Sequence, residues 1–307
     1  RHTRSCLVSW ARDVYKRQDG YFVSSKTKKI WNIELDMLKL LDDICKKYSL
    51  KYFVAYGTLL GAVRHKGFVP WDDDIDVFML RDDYNKLARI APAEIQSPYF
   101  FQNVYTDDMV WAISKIRDSR TCAVEFPDMA ETFNQGIFID IFPIDSSGDG
   151  TPAMQNIVAI KHDIWKCIYG RDVIAKNINN PDIWKEFLID KDMALEIANL
   201  SYKDAMRCFE DFCLEHFMDS DVLSSWSSEV MNVKTRYKRE WFDDVIYMPF
   251  CGFDVPVPIK YDEVLTEAYG DWRTPIKGKG CLHSDIVIDP DISYVQWLKE
   301  HKKDSGD

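Results

Sequence analysis

The chain has 307 residues, a formal net charge of −11, 46% hydrophobic residues and 14% aromatic residues. This composition is sufficient for a sizeable core, and the negative charge argues against nucleic-acid binding, which needs a basic surface. A nucleotide is not excluded, because one phosphate pocket needs only a few local cations or a metal ion.

The opening segment RHTRSCLVSWARDVYKRQDG lacks the apolar core and cleavage site of a signal peptide. No run of about 18 apolar residues occurs, so no transmembrane helix is predicted. The eight cysteines are scattered without a C-x-x-C pair, which favours reduced thiols over a zinc site or disulfides. The sequence therefore predicts a cytoplasmic protein and leaves peripheral contact with the inner face of a membrane open. Residues 1–30 are predicted to be an N-terminal extension that need not be ordered.

The first half of the chain alternates between helical and extended patterns. Helices are predicted over 31–48, 58–67 and 81–91, and strands over 50–57, 75–80, 99–105, 111–117, 121–126 and 136–145. The helix over 31–48 carries apolar residues at helical spacing, and the helix over 58–67 is expected to stop at Gly67.

The composition changes after the break marked by Gly148 and Gly150, and long helical patterns fill residues 153–240. A hairpin that turns at Gly252 and a helix capped by Gly270 follow. The outline is an α/β (α+β) fold, with a mixed sheet and flanking helices over 31–150. Residues 151–307 are predicted to be mainly helical, with a C-terminal hairpin and helix that complete the domain.

A run of acids, WDDDID at residues 71–76, stands just before a predicted buried strand. Side chains alternate along a strand, so Asp74 and Asp76 are expected on one face, with Ile75 opposite them. Neighbouring carboxylates repel each other, and a divalent cation removes that repulsion while it keeps positions open for phosphate oxygens. The pattern therefore predicts a metal clamp. A solvated acidic loop is the alternative, and an EF-hand loop is excluded because Val77 stands where glycine is required.

Asp140 stands alone among apolar residues in the stretch FIDIF. If its strand lies beside 75–80, Asp140 completes a three-carboxylate site with Asp74 and Asp76; at a sheet edge it would simply face water. Three carboxylates that hold Mg²⁺ or Mn²⁺ suit phosphoryl transfer. Asp140 and Asp72 are the candidates to take the proton of an attacking hydroxyl.

Phosphate-binding groups are predicted from three segments. Gly57 and Thr58 follow a predicted strand, where a turn with free N–H groups and a hydroxyl can hold phosphate. Arg64 adds a cation near the end of the next helix. Lys115 and Arg117 share one face of a predicted strand, where they either reach phosphates or form the solvent side of the sheet.

A strand ending in Gly-Thr, a D-x-D strand and a separate third Asp together resemble the nucleotidyltransferase superfamily, with its polymerase β palm-like fold. The longer string YGTLLGAVRHKGFVPWDDDIDVFMLRDDY resembles the signature of the LicD family of phosphocholine and other phospho-alcohol transferases, related to fukutin and fukutin-related protein. Three further stretches are similar to LicD motifs: KIRDSRT (115–121), GIFIDIFPID (136–145) and VPVPIKYDEVLTEAYGDWRTP (255–275). The resemblance extends from about residue 31 to 285 and is weak through 153–240.

Residue by residue, the resemblance implies that Asp74 and Asp76 bind metal, that Asp140 is the third acid, and that the Gly57-Thr58 turn holds nucleotide phosphates. Asp72 belongs to the same acidic string, and Arg64, Lys115 and Arg117 match similar basic residues. His283 lies where many relatives carry a histidine. The motif YGDW (269–272) also matches, but its residues indicate only a helix end packed by aromatic rings, so it is left out of the predicted site.

The resemblance implies metal-dependent transfer of a phospho-alcohol, with phosphocholine from CDP-choline as the first candidate. The acceptor would be a hydroxyl of a cell-surface glycan or glycolipid, such as lipopolysaccharide or teichoic acid, and CMP would be released. One alternative is a nucleotidyltransferase that releases pyrophosphate. A D-x-D glycosyltransferase that uses a nucleotide-sugar is another, and it leaves the Gly-Thr turn unexplained.

Overall fold

The computed structural model describes residues 21–107, 109, 111–127, 133–230, 235–276 and 286–301. The strands are β1 (Phe53–Val54), β2 (Asp76–Leu80), β3 (Tyr99–Gln102), β4 (Ser114–Asp118), β5 (Cys122–Val124), β6 (Ile137–Ser146), β7 (Val222–Ser225), β8 (Tyr237–Lys238), β9 (Val245–Phe250), β10 (Phe253–Pro258) and β11 (Val287–Asp289). The helices are α1 (Ser25–Tyr48), α2 (Tyr56–His65), α3 (Arg81–Glu94), α4 (Pro152–Tyr169), α5 (Arg171–Lys176), α6 (Pro181–Trp184), α7 (Lys191–Asn199), α8 (Tyr202–Glu215), α9 (Trp226–Val230), α10 (Tyr261–Tyr269) and α11 (Tyr294–His301).

The main sheet is mixed, as predicted. Its strands lie in the order β1-β2-β6-β4-β3, and β7 and β8 extend it from the far end of β6. The neighbours β2 and β6 are parallel, whereas β1–β2, β4–β6, β3–β4 and β6–β7 are antiparallel. The predicted α/β fold is therefore confirmed, and the strand that carries Asp140 is central rather than at an edge.

Helix α1 begins at Ser25, six residues before the predicted start. The side chain of Ser24 caps the helix by accepting a hydrogen bond from the Thr27 N–H at 2.9 Å. The first turn carries lysines and has no apolar period, so the periodic signal begins only at Trp31. The apolar face of α1 packs across β6 and β4 and contributes to the main core.

Two other predicted boundaries differ from the structure. The predicted strand over 50–57 is only two residues long, and α2 begins at Tyr56 and ends at His65, where Lys66 takes a left-handed conformation. The hairpin β9–β10 and helix α10 confirm the predicted turn at Gly252 and the predicted cap at Gly270, both of which have positive φ angles.

A second core lies among the helices that follow the sheet. Helix α4 begins at Pro152, and Thr151 caps it by accepting from the Met154 N–H. Helices α4, α5, α7 and α8 enclose buried side chains such as Ile164, Cys167 and Phe209. The predicted division of the chain near residue 150 stays a prediction, because β7 and β8 belong to the main sheet and β9–β10 packs on α2 and β1. None of the helices in the described ranges is both long and apolar enough to span a bilayer.

Candidate active site

Two acids predicted to meet are direct neighbours across the main sheet. Asp76, the first residue of β2, is in register with Asp140 in the middle of β6, and the Asp140 N–H donates to the Ile75 carbonyl at 2.9 Å. Lys115 on β4 is in register with Asp140 on the other side. Residues paired in adjacent strands project to the same face, so Asp76, Asp140 and Lys115 form a row across three strands.

A buried network supports one end of this row. The Lys115 Nζ lies 3.0 Å from Asp140 Oδ1, 3.1 Å from Glu125 Oε1 and 3.5 Å from the ring centroid of Phe138. Arg117 is fully buried and donates to Glu125, to Gln102 and to the Gly136 carbonyl. Lys115 therefore contacts a predicted metal ligand directly. Arg117 holds Glu125 beneath the row, and its predicted phosphate contact stays a prediction that this geometry does not favour.

The acidic run enters β2 through a loop. Because β2 begins at Asp76, Asp74 lies just before the strand, and the predicted alternation of faces does not extend to it. The loop is held by its backbone: the Trp31 indole N–H donates to the Asp72 carbonyl at 2.9 Å, and the Asp72 N–H donates to the Val69 carbonyl. Asp72 and Asp74 also share a side-chain hydrogen bond.

Gly57 lies directly against the Asp72 carboxylate. A Cβ atom added at Gly57 would lie 1.9 Å from Asp72 Oδ2, which is far inside van der Waals contact. Gly57 is in the first turn of α2 and not in a turn before it. This position therefore requires glycine because of the close approach of an acid, and its predicted role in phosphate binding stays a prediction.

Thr58 and Tyr56 tie the start of α2 to neighbouring strands. The buried Thr58 Oγ1 accepts from the Asp76 N–H at 2.9 Å, so this hydroxyl fixes the backbone of the acidic row. The Tyr56 hydroxyl lies 2.8 Å from Ser225 Oγ and 3.0 Å from Ser228 Oγ. The sequence predicts that Thr58 contacts phosphate. The Thr58 hydroxyl already accepts one hydrogen bond, so a contact with phosphate would use its O–H group as the donor.

Burial and mutual repulsion raise the pKa values of the acids in the row. For Asp76, burial contributes most, followed by the charges of Asp74, Asp140 and Asp72, while Lys115 acts in the opposite direction. Burial and Asp74 raise the pKa of Asp72, and burial raises that of Asp140 despite Lys115. The site therefore concentrates negative charge that its own cations do not balance.

The donor chemistry fits a hard divalent cation, because carboxylate oxygens are the ligands that such ions prefer. Within the described part of the chain, however, no three His, Cys, Asp or Glu side chains converge as a ready metal site. The charges of Asp74 and Asp140 both act on Asp76, and the joint binding of Mg²⁺ or Mn²⁺ by these three acids stays a prediction.

The YGDW segment, which was left out of the predicted site, lies within the electrostatic influence of its acids. Burial, followed by the charges of Asp72 and Asp76, raises the pKa of the Tyr269 hydroxyl, although 43% of the residue surface is exposed. Arg64 donates to the Trp272 carbonyl at 2.8 Å. Predicted as a phosphate-binding cation, Arg64 thus also joins α2 to this segment. To identify this segment as part of the site, one would need to know which aromatic residues lie near which distant acids. A single sequence does not contain that information.

Glu34 on α1 is an acid of the site that the sequence analysis missed. It is 2% exposed, and its buried Oε2 atom has no hydrogen-bond partner among the residues that the structure describes. Burial, followed by the charges of Asp74, Asp73 and Asp72, raises its pKa well above the usual value. A glutamate between Ile33 and Leu35 on an amphipathic helix gives no signal beyond its position on the buried face. His283 lies outside the described residues.

Comparison with known proteins agrees with this geometry. Residues 49–168 match the sequence model of the LicD/FKTN/FKRP nucleotidyltransferase domain. The Haemophilus influenzae protein named lipopolysaccharide cholinephosphotransferase LicD is 29% identical over 252 residues, which are 78% of this chain and 88% of that protein. Residues 49–168 of this chain are therefore a LicD-family domain. Uncharacterized proteins of Rickettsia prowazekii and Rickettsia typhi are 40% and 38% identical to this chain over 63 residues, which are 24% and 20% of their lengths.

The LicD domain match contains the acidic row and its supports, including Asp72, Asp76, Lys115 and Asp140. Glu34 and Tyr269 lie outside the matched residues, on α1 and α10. Elements on both sides of the matched LicD segment therefore complete the site.

Proposed function

We propose that this LicD-type transferase moves phosphocholine from CDP-choline to a hydroxyl group of a cell-surface glycan and releases CMP. The observation that carries the proposal is the pairing of Asp76 and Asp140 on adjacent parallel strands, beside Asp72 and Asp74, in a domain of this family. The name of the Haemophilus relative supports phosphocholine as the transferred group and lipopolysaccharide as the first acceptor to test. Teichoic acid is the second acceptor class.

The reaction is a displacement at phosphorus. The acceptor oxygen bonds to the phosphorus atom that carries choline, the bond from that atom to the CMP oxygen breaks, and the hydroxyl proton passes to Asp72 or Asp140. Burial raises the pKa of both acids, and a carboxylate with a raised pKa is a better proton acceptor. Mg²⁺ or Mn²⁺ held by Asp74, Asp76 and Asp140 would offset the negative charge of the diphosphate and of the departing CMP.

Residues around the row orient the reactants. Lys115 holds Asp140 in place, and Arg64 supplies a cation at the end of α2. Tyr56 and Tyr269 both lie within the electrostatic influence of Asp76. A quaternary ammonium such as choline favours aromatic faces, which makes these two rings the candidates for its head group.

A product assay tests the proposal. The purified protein is incubated with CDP-choline, Mg²⁺ and the oligosaccharide that mild acid releases from Haemophilus influenzae lipopolysaccharide. We expect CMP and phosphocholine-modified oligosaccharide, with both products lost in EDTA and restored by Mg²⁺ or Mn²⁺. CDP-ethanolamine, CDP-glycerol and CDP-ribitol in parallel reactions identify the preferred alcohol.

Two results would overturn the proposal. Release of pyrophosphate from a nucleoside triphosphate would indicate a nucleotidyltransferase. Mg²⁺- or Mn²⁺-dependent hydrolysis of a UDP- or GDP-sugar, with no CMP from any CDP-alcohol, would indicate a glycosyltransferase.

A further inference from the structure

A cavity in the helical region takes no part in the chemistry above. Its volume is about 550 Å³, within the range of small-molecule pockets. It is enclosed by the C-terminal end of α4, by α5, by the segment from α6 to Phe187, and by the last residue of α9. The side chains that matter here are Trp165, Tyr169, Val173, Asp182, Glu186 and Phe187.

The walls of the cavity are held by contacts within the protein. Trp165 packs against Phe209 and Trp226, with ring centroids 5.3 and 5.6 Å away. The buried Asp163 on α4 accepts from the Leu188 N–H, and Lys166 donates to Asp163 at 3.1 Å. The Asp163–Leu188 bond ties the segment that follows α6 to α4, and the bond from Lys166 holds the Asp163 carboxylate in place. A pocket fixed in this way loses little conformational entropy when it binds a ligand.

One wall carries two aromatic rings, and that of Tyr169 is open to solvent. The rings of Trp165 and Tyr169 are nearly parallel, with an interplanar angle of 11° and centroids 6.1 Å apart. Tyr169 is 71% exposed and Val173, one turn further on, is 61% exposed. The C–H face of a sugar ring is apolar and slightly positive, so it packs well on the negative face of an aromatic ring.

The charges around the cavity select the kind of ligand. Lys185 pairs with Asp182 at 2.7 Å, so the carboxylate of Glu186 is the main group that disfavours a phosphate group or an anionic membrane surface. The Lys166 Nζ lies 5.0 Å from the ring centroid of Phe187, so a second cation is disfavoured at that ring. A neutral ligand with many hydroxyls satisfies both conditions, because its hydroxyls can donate to the carboxylates.

The cavity is connected to the acidic row through α9. Ser225 and Ser228 contact the Tyr56 hydroxyl, which lies within the influence of Asp76, and Val230 lines the cavity. Ser228 and Val230 are about 3 Å apart along the axis of this short helix and lie on different faces of it, so the helix stands between Tyr56 and the cavity. We propose that this cavity is an acceptor subsite that binds a sugar residue of the glycan. Only the identity of the glycan rests on the proposed function.

Binding without donor tests the subsite directly. The lipopolysaccharide oligosaccharide described above is titrated into the wild type, Tyr169→Ala and Glu186→Gln, and binding is followed by calorimetry or saturation-transfer NMR. We expect the Kd to rise about three- to tenfold in both variants, as loss of one aromatic or hydrogen-bonding contact predicts. Tyr247→Ala is the matched control, because Tyr247 is also an exposed tyrosine but lies on β9, away from the cavity.

Steady-state kinetics give a second readout. In Tyr169→Ala the KM for the oligosaccharide should rise by the same factor while the KM for CDP-choline stays constant, the pattern of lost acceptor binding. A parallel change of both KM values would indicate a merely structural role for Tyr169 and would overturn the proposal.

Other outcomes of the binding experiment would lead to different conclusions about the cavity and about the reaction. Equal affinity of wild type and both variants, or no binding by the wild type, overturns the subsite and leaves the proposed transfer reaction standing. Tyr169-dependent binding to vesicles of phosphatidylethanolamine and phosphatidylglycerol, without binding to the oligosaccharide, identifies a membrane contact instead. Tyr169-dependent binding by a protein that releases no CMP supports the subsite and contradicts the proposed function.

Discussion

At the scale of single residues, Asp76 contributes both to the backbone hydrogen bonds of the site and to its negative charge. Its N–H donates to Thr58 Oγ1, its carbonyl accepts from the Ala55 N–H, and its side chain faces the same way as Asp140. The strand and α2 therefore hold the main chain of Asp76 on both sides, so a change confined to the carboxylate leaves the local backbone supported.

Asp76→Asn should separate catalysis from folding. We expect kcat/KM to fall more than about 100-fold, since even outer-shell changes at metal sites cost 10- to 100-fold. The melting temperature without metal should not fall, because the amide removes a buried charge that repels Asp74 and Asp140. Activity assays and thermal melts check both statements. Asp254→Asn, at the exposed position of strand β10, is the control, and retained activity in Asp76→Asn would contradict the predicted role.

Gly57→Ala should damage the site through Asp72. The added methyl group would overlap the Asp72 carboxylate, so that side chain must move. We expect a loss of activity and a lower melting temperature. In the background of Asp72→Ala the same change should cost much less stability, because residues in contact show coupling of about 0.5 to 3 kcal/mol. A double-mutant cycle by urea unfolding measures this coupling, and additive effects would rule out the contact.

The sequence predicted the acids of the acidic run and of β6 more completely than the residues that lie around them. Asp74, Asp76 and Asp140 were predicted from charge inside apolar patterns, and Asp76 and Asp140 are indeed neighbours in the sheet. Glu34 was missed because the sequence pattern does not distinguish a buried acid on the apolar face of a helix from a polar residue at the edge of that face. Tyr269 was missed because its proximity to Asp72 depends on how α10 packs, which no local pattern encodes.

At the scale of elements, a buried ion pair joins the start of α3 to the end of β6. Arg81 donates through two nitrogen atoms to Asp145, both bonds are 2.6 Å long, and both side chains are about 1% exposed. Although burial alone would raise the pKa of Asp145, the charge of Arg81 lowers it. This pair fixes α3 on the two parallel strands that carry the acids.

Asp145→Asn should therefore destabilise the whole sheet. The substitution leaves the Arg81 charge buried with one neutral partner, and breaking such a pair costs about 3 to 5 kcal/mol. Asp291→Asn serves as the control, because the Lys29–Asp291 pair is largely exposed and its loss should change stability by less than about 0.5 kcal/mol. Urea unfolding of both variants checks the contrast, and equal effects would contradict the structural role of the buried pair.

The order of the strands was harder to predict than the strands themselves. β2, β4 and β6 were predicted to within about three residues, since their apolar patterns are strong. That β2 and β6 are parallel neighbours is a property of tertiary packing, because 56 residues separate them and two other strands of the same sheet, β3 and β4, come between them in sequence. The long return of the chain through β7 and β8 gave no sequence signal, as both strands are short.

At the scale of the whole molecule, the acidic site should make stability depend on pH. Glu34, Asp72, Asp76 and Asp140 have raised pKa values, so the folded state binds more protons than the unfolded state above about pH 4. Stability therefore falls as pH rises toward their folded pKa values. Paired acids with lowered pKa values, such as Asp145, contribute fully above about pH 4 and stay constant in this range.

Thermal melts in EDTA should accordingly show a lower melting temperature at about pH 8 than at about pH 5.5. The pKa of half-buried His162 is lowered, so this residue makes stability rise with pH. It is a single group, whereas four acids with raised pKa values make stability fall with pH. Added Mg²⁺ should raise the melting temperature more at about pH 8, where more of its ligands are ionised. A melting temperature that rises with pH in EDTA, or an equal Mg²⁺ effect at both pH values, would contradict this account.

The helical region leaves the main sheet and rejoins it at the same place. Ser146 at the end of β6 is paired with Leu223 on β7, and the Ser147 N–H donates to the Val222 carbonyl at 2.8 Å. Residues 148–221 thus form an excursion whose two ends meet beyond the register positions of Asp76 and Asp140 in the sheet. The subsite proposed above predicts that a chimera which exchanges this excursion between relatives at the two junctions keeps the transfer reaction and changes the preferred glycan.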